Sequence, residues 1–180
     1  MILEHISRDI VHIFYDVNQT PRQKPAGLWL SAPSAWARWS QDTAKRWVCT
    51  MDVADSAFCA YPWSLNKGQN NIIRIDMSNH NQLAEFIARY NYSGYDNEID
   101  WRRVSDEFGG VHFYKADDGT LPRSYYTKYN ESDGCWVLSL DVDSVCIWNA
   151  QCMGPTSWTR RKSSAAAKSR RATGSRVPEH

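Results

Sequence analysis

No stretch of the 180 residues approaches the ~18 consecutive apolar side chains of a membrane-spanning helix, so no membrane partner is expected. Glu4, His5, Arg8 and Asp9 interrupt the opening residues, which therefore offer no apolar signal-peptide core. The five cysteines (Cys49, Cys59, Cys135, Cys146, Cys152) are odd in number and form no CxxC pair. Without a secretory signal they read as reduced thiols, and a cytoplasmic location is expected. Three Asn-x-Ser/Thr triplets, at Asn18, Asn91 and Asn130, match the glycosylation acceptor pattern, which a cytoplasmic chain never presents to the glycosylation machinery. There is no GxGxxG, no GxxxxGK[ST], no HExxH and no GxSxG. Phosphate cradling by a glycine-rich loop is thus unsupported. The five histidines, at positions 5, 12, 80, 112 and 180, lack metal-ligand spacing to one another or to cysteine, so no metal is expected.

What is present is a packable chain. The composition is 42% hydrophobic and 13% aromatic, which excludes wholesale disorder and collagen. A globular chain of this size buries roughly two-thirds of its unfolded surface. The formal net charge of +1 is a sum of unlike parts. Residues 160–180 hold seven basic residues and only Glu179 as an acid, leaving 14 basic and 19 acidic residues elsewhere. The expected organisation is one globular domain over 1–158 and a basic, disordered tail over 159–180. That tail is rich in Ser, Ala and Arg, with Val177 its one large apolar residue. It cannot bury enough surface to offset its ordering entropy. It reads either as a solvated extension or, through residues 160–180, as a salt-sensitive contact with nucleic acid or another polyanion.

β-Branched and aromatic density over 10–17 predicts a strand, and 17–25 reads as a loop. A short buried strand is predicted over 27–31. A helix follows from Ser31 to about Val48, with Pro33 in its first turn. Residues 50–70 read as irregular and 71–77 as a strand. Asn79 caps a helix with Leu83, Phe86, Ile87 and Tyr90 on one face. Asp100 opens a shorter helix with Trp101, Val104 and Phe108 inward. Gly109 and Gly110 close it before a strand over 111–115. Asp117-Asp118-Gly119 marks a turn, and 135–140 and 144–148 read as two late strands. Strands that do not alternate regularly with helices predict an α+β fold, a small mixed or antiparallel sheet with two to three helices.

Nine tryptophans are the conspicuous excess. A buried indole needs a partner for its N–H. Trp29, Trp36 and Trp39 lie close in sequence, and two readings are open. They form a core under the first helix, or they wall a slot that stacks a flat ring.

The run Lys24-Pro25-Ala26-Gly27-Leu28-Trp29-Leu30-Ser31, followed by Trp36 and Trp39, resembles the core segment of ADP-ribosyltransferases. In that superfamily a glycine precedes an aromatic-bearing strand ending near Ser or Thr. A second aromatic follows the first by about ten residues, and the two flank the nicotinamide ring of NAD. The resemblance implies an ADP-ribosyltransferase-like fold and NAD as substrate. It makes Gly27, Trp29, Ser31, Trp36 and Trp39 ring-binding candidates. His12 would meet the adenosine ribose, and Lys24 is a candidate phosphate contact. The superfamily usually sets a Glu on a late strand, but none lies between Glu131 and the tail here. Asp141, Asp143 and His112 are the nearest catalytic candidates. A carboxylate there would stabilise the positive charge that develops on the ribose as nicotinamide leaves. The pieces 99–113 and 136–148 also resemble a group of proteins sharing KPxGLWxS, a grouping that supplies no activity.

These observations lead to two expectations. One is NAD-dependent ADP-ribosyl transfer to a macromolecular acceptor, protein or nucleic acid. The other is a non-enzymatic nucleotide- or nucleic-acid-binding module with a Trp-lined pocket and a basic tail.

Overall fold

A computed structural model describes residues 1–10, 14–22, 24–33, 35, 47–63, 67–92, 99–114 and 143–161. Short runs of β-branched and aromatic residues form the strands. These are β1 (Ile2–Ser7), β2 (Leu28–Ser31), β3 (Trp47–Asp52), β4 (Phe58–Cys59) and β5 (Gly68–Asp76), then β6 (Phe108–Tyr114), β7 (Ser144–Ile147) and β8 (Thr156–Arg160). Helices α1 (His80–Tyr90) and α2 (Trp101–Glu107) connect β5 to β6. The strands make one eight-stranded sheet in the order β4-β5-β6-β7-β2-β1-β3-β8. The β4-β5-β6 edge is parallel and every other pairing is antiparallel. This is a mixed sheet with two helices among the described residues, an α+β arrangement. No helix among the described residues is long and apolar enough to cross a membrane.

The period-two alternation of the strands sorts side chains onto two faces. On the helix side, Ile73, Ile75, Val111, Phe113 and Cys146 pack with Leu83, Phe86 and Tyr90 of α1 and with Trp101 and Val104 of α2. On the other side, Leu3, Leu30, Met51, Ile72, Val145 and Ile147 form a second cluster. Helix α1 starts where Asn79 Oδ1 accepts hydrogen bonds from the backbone N–H groups of Asn81 and Gln82, as its sequence predicts. Asp100 precedes α2 without a side-chain capping bond.

Several expectations are corrected. Residues 14–17 are not a strand, and residues 11–13 lie outside the described set. The first strand is instead β1, whose Leu3 and Ile6 are buried. Glu4 and His5 interrupt an apolar run but not a strand, because β1 sits between β2 and β3 with both edges paired. Trp47 and Val48 belong to β3 rather than to the end of a helix, and 50–70 contains β3, β4 and the start of β5. Gly109 and Gly110 do not end α2 before the strand; they lie within β6. A Cβ on Gly109 would collide with Gln69 O and Cys152 Sγ, so close packing selects glycine there. The expected turn at 117–119 and strand at 135–140 lie outside the described residues. Strand β8 continues to Arg160 and so takes in the first two residues of the expected tail, with Thr159 and Arg160 paired to Val48 and Trp47.

The tryptophan excess is partly core. Trp63, Trp101 and Trp148 are buried. Their indole N–H groups donate to Arg74 O (2.7 Å), Arg22 O (3.0 Å) and Phe108 O (2.8 Å). Each buried polar tip is thus satisfied.

Candidate functional site

Parallel strands β5 and β6 carry charged residues at alternate positions of otherwise apolar runs. Arg74 stands in register with His112, and Asp76 with Tyr114. All four lie toward the carboxyl ends of their strands. There, open sheets with parallel strands commonly bind ligands. Antiparallel β7 begins beside them, and the residue before it, Asp143, meets His112. The contact is His112 Nε2 to Asp143 Oδ1 at 2.7 Å. His112 is 2% exposed and Asp143 38%, so the couple is buried at the imidazole and open at the carboxylate.

Aromatic rings hold this imidazole. Phe58 and Tyr114 each lie 5.4 Å from it, ring centre to ring centre. The same two rings contact the Arg74 guanidinium, whose carbon lies 4.2 Å from the Tyr114 centroid and 5.8 Å from that of Phe58. His112 Nδ1 and Arg74 Nε are both buried without a hydrogen-bond partner. Such groups are rare in folded proteins and mark a place where polar capacity is held unused. Tyr114 has its hydroxyl pushed above the ordinary tyrosine range by burial and by Asp76, with Arg74 opposing. Asp76 Oδ1 is occupied by the backbone N–H and the hydroxyl of Ser78.

The chemistry of the couple follows from its bonding. An imidazole that donates Nε2–H to a carboxylate has its tautomer fixed, which makes Nδ1 the basic nitrogen. Carboxylate, imidazole and an unoccupied ring nitrogen are the parts from which an orienter-and-base pair of general acid–base catalysis is built.

The described ring-binding candidates lie elsewhere. Trp29 is in register with Cys146 and packs against the helix-side cluster. Lys24 Nζ stands 5.8 Å from its ring centroid, a cation–π contact. The backbone of Gly27 has φ +152°, and a Cβ there would collide with Ile147 O and Cys146 Sγ. Ser31 is buried, and its hydroxyl donates to Ala32 O at 3.2 Å. Trp29 therefore does not share a face with His112 and Asp143. His12, Trp36, Trp39 and Asp141 lie outside the described residues. The structure brings two of the three catalytic candidates together and separates them from the described aromatic candidate. Sequence reasoning missed Arg74, Phe58 and Tyr114. The available signal was Arg74 and Asp76 alternating with isoleucines in 71–77, a pattern that puts charge on one face of a buried strand.

A polar cleft of about 690 Å³ opens at the opposite ends of the same strands, lined in part by Asp16, Gln69, Asp100, Arg103 and Asn149. It holds none of the candidates, and its buried side chains are already engaged. Gln19 bonds Val17 O, Ala26 O and Ala26 N, and Asp100 pairs with Arg102. The His112 couple, with unused polar atoms, is the better-qualified centre. Among the described residues no group of three or more His, Cys, Asp or Glu is arranged to hold a metal ion. The chain matches no protein-family model, no curated protein and no solved structure.

Proposed function

We propose that this chain is an enzyme working by proton transfer, with His112 as its acid–base group, Asp143 as the residue that positions it, and a nucleotide-type substrate. The observation that carries this reading is the 2.7 Å contact between a buried imidazole and a half-open carboxylate, with the second ring nitrogen unpartnered. His112 Nδ1 would take a proton from an attacking water or hydroxyl and return it to the leaving group. Properly placed, such a group contributes about 10²–10⁴-fold to a rate.

NAD is the first substrate to test, because of the likeness of 24–39 to ADP-ribosyltransferases and the ADP-ribosyltransferase-like fold that this likeness implies. In that chemistry Asp143 would stabilise the positive ribose. The wall for the departing ring on this face would be Phe58 or Tyr114 rather than Trp29. The test is nicotinamide release from NAD by the full chain, with protein and nucleic acid acceptors, alongside a panel of nucleotides and phosphate esters. Turnover that falls at least tenfold in both His112→Gln and Asp143→Asn supports the proposal. Turnover unchanged in both variants sinks it.

One observation favours a second, separable role. Strand β8 is an edge strand, five strand positions from His112 in the sheet order. At ~4.8 Å per strand this is roughly 24 Å. The basic residues after Arg160 thus follow an edge strand remote from the catalytic couple, and their polyanion role is testable separately. Removing 162–180 would reduce salt-sensitive oligonucleotide binding and leave small-substrate turnover intact.

A further inference from the structure

We infer that Arg74 forms a phosphate-binding subsite beside His112, so that the substrate of this centre carries a phosphoryl group. The inference rests on the acid–base reading for its catalytic meaning but not for its binding chemistry. Arg74 and His112 are register partners on adjacent parallel strands, which sets their side chains side by side on one face. Phe58 and Tyr114 contact both groups.

The guanidinium carbon sits over the Tyr114 ring at 4.2 Å and the Phe58 ring at 5.8 Å. A planar cation stacked on rings keeps its N–H donors in the plane, pointing away from the stack. Those donors have no hydrogen-bond acceptor among the described residues. Arg74 Nε is buried without a partner, and Arg74 makes no ion pair among the described residues. The acids nearby are otherwise engaged, Asp143 with His112 and one oxygen of Asp76 with Ser78. Arg74 is therefore a cation seated against two rings, with no ion pair among the described residues.

Phosphate fits these donors better than carboxylate does. The guanidinium fork spans two phosphate oxygens, and a third remains for His112 Nδ1 when it carries a proton. The arrangement also places the phosphorus beside the base. A phosphoryl group held here presents its ester linkage to the nitrogen that would move the proton.

Binding of inorganic phosphate, pyrophosphate, ADP, adenosine and acetate to the full chain by calorimetry tests the subsite. Phosphate, pyrophosphate and ADP are expected to bind, and adenosine and acetate are not. A response to ADP stronger than to phosphate assigns the group to a nucleotide. Equal responses assign it to a free or simple phosphoryl group, and both support the subsite. Arg74→Lys keeps the charge but loses the fork and the stack, and weakens phosphate binding by about tenfold or more. Arg74→Met removes binding. Should Arg74→Met fail to fold, the wild-type protein supplies the check. Phosphate must then protect Arg74 from phenylglyoxal, read by peptide mass spectrometry.

Acetate binding as tight as phosphate, adenosine binding as tight as ADP, or modification of Arg74 indifferent to phosphate would each overturn the subsite. His112→Gln separates the two claims. Phosphate binding kept with turnover lost supports both. Phosphate binding kept with turnover unchanged leaves the subsite standing and removes the acid–base role.

Discussion

Trp29 and His112 face opposite sides of the same sheet, although only one strand separates those that carry them. Trp29 is in register with Cys146, Cys146 with Val111, and His112 is the next residue along β6. With a period of two, that single step sends the imidazole to the other face. The aromatic candidate Trp29 and the His112–Asp143 contact thus lie on two different faces of the sheet.

Trp29→Ala is expected to act on stability rather than on the couple. The half-buried indole packs against the helix-side cluster, and its removal should cost about 1–3 kcal/mol, below the usual range for a fully buried aromatic. Chemical denaturation measures the cost, and ¹⁵N NMR of the His112 ring reports the couple. A perturbed His112 ring with unchanged stability would contradict this placement.

Asp143→Asn keeps the shape at Asp143 and removes its charge. In the proposed acid–base role, an imidazolium at His112 would lose its stabilising partner and the Nε2–H tautomer its fixed preference. The rate should fall by about 10²–10⁴-fold with little change in substrate affinity. A rise in KM with kcat intact would reassign Asp143 to binding.

Much of the fold was legible where a local pattern agreed with its surroundings. The Asn79 cap and the stripe Leu83, Phe86, Ile87, Tyr90 state α1 without reference to any other element. Strands β2 and β7 are dense enough in apolar and β-branched residues to be read alone. Strand β1 was not, because its polar Glu4 and His5 are accommodated only by neighbours from elsewhere in the chain. The site shows the same limit. His112 and Asp143 were each visible as candidates, but their contact spans 31 residues and arises from the register of β6 with β7. Local spacing carries no record of such pairing.

Glu107 ties three elements together, and its removal should be felt in acid. Lys67 Nζ lies 2.7 Å from its carboxylate, Arg89 3.0 Å and the Tyr90 hydroxyl 2.9 Å. Burial alone would raise this carboxyl; the hydrogen bonds from Lys67 and Tyr90 and the charges of Arg89 and Lys67 outweigh burial and hold it low. A carboxyl lower in the folded state stabilises above its unfolded pKa, about 4.3, and that contribution fades as pH falls further. Glu107→Gln should cost about 1–2 kcal/mol at neutral pH and flatten the loss of stability below about pH 4. Parallel acid-unfolding curves for the two proteins would refute the assignment.

The buried thiols should be silent in the native protein. Cys49, Cys59, Cys146 and Cys152 are buried. Burial raises the thiols of Cys49 and Cys146, and burial with the charge of Asp16 pushes Cys152 up to about 12. Since the thiolate is the reactive form, iodoacetamide at pH 8 should label these four only after unfolding. Rapid labelling of Cys146 or Cys152 in the native state, read by peptide mass spectrometry, would show that they are open.

Strand β7 is the keystone of the sheet, pairing with β6 on one side and with β2 on the other. A chain emerging in order from a ribosome makes β2 and β6 long before Ser144–Ile147. Until β7 arrives, each of those strands presents an open row of backbone donors and acceptors to any neighbour. The molecule therefore carries two adhesive borders from the making of β6 until Ser144–Ile147 emerge, and its yield in a cell should depend on how quickly four residues close them.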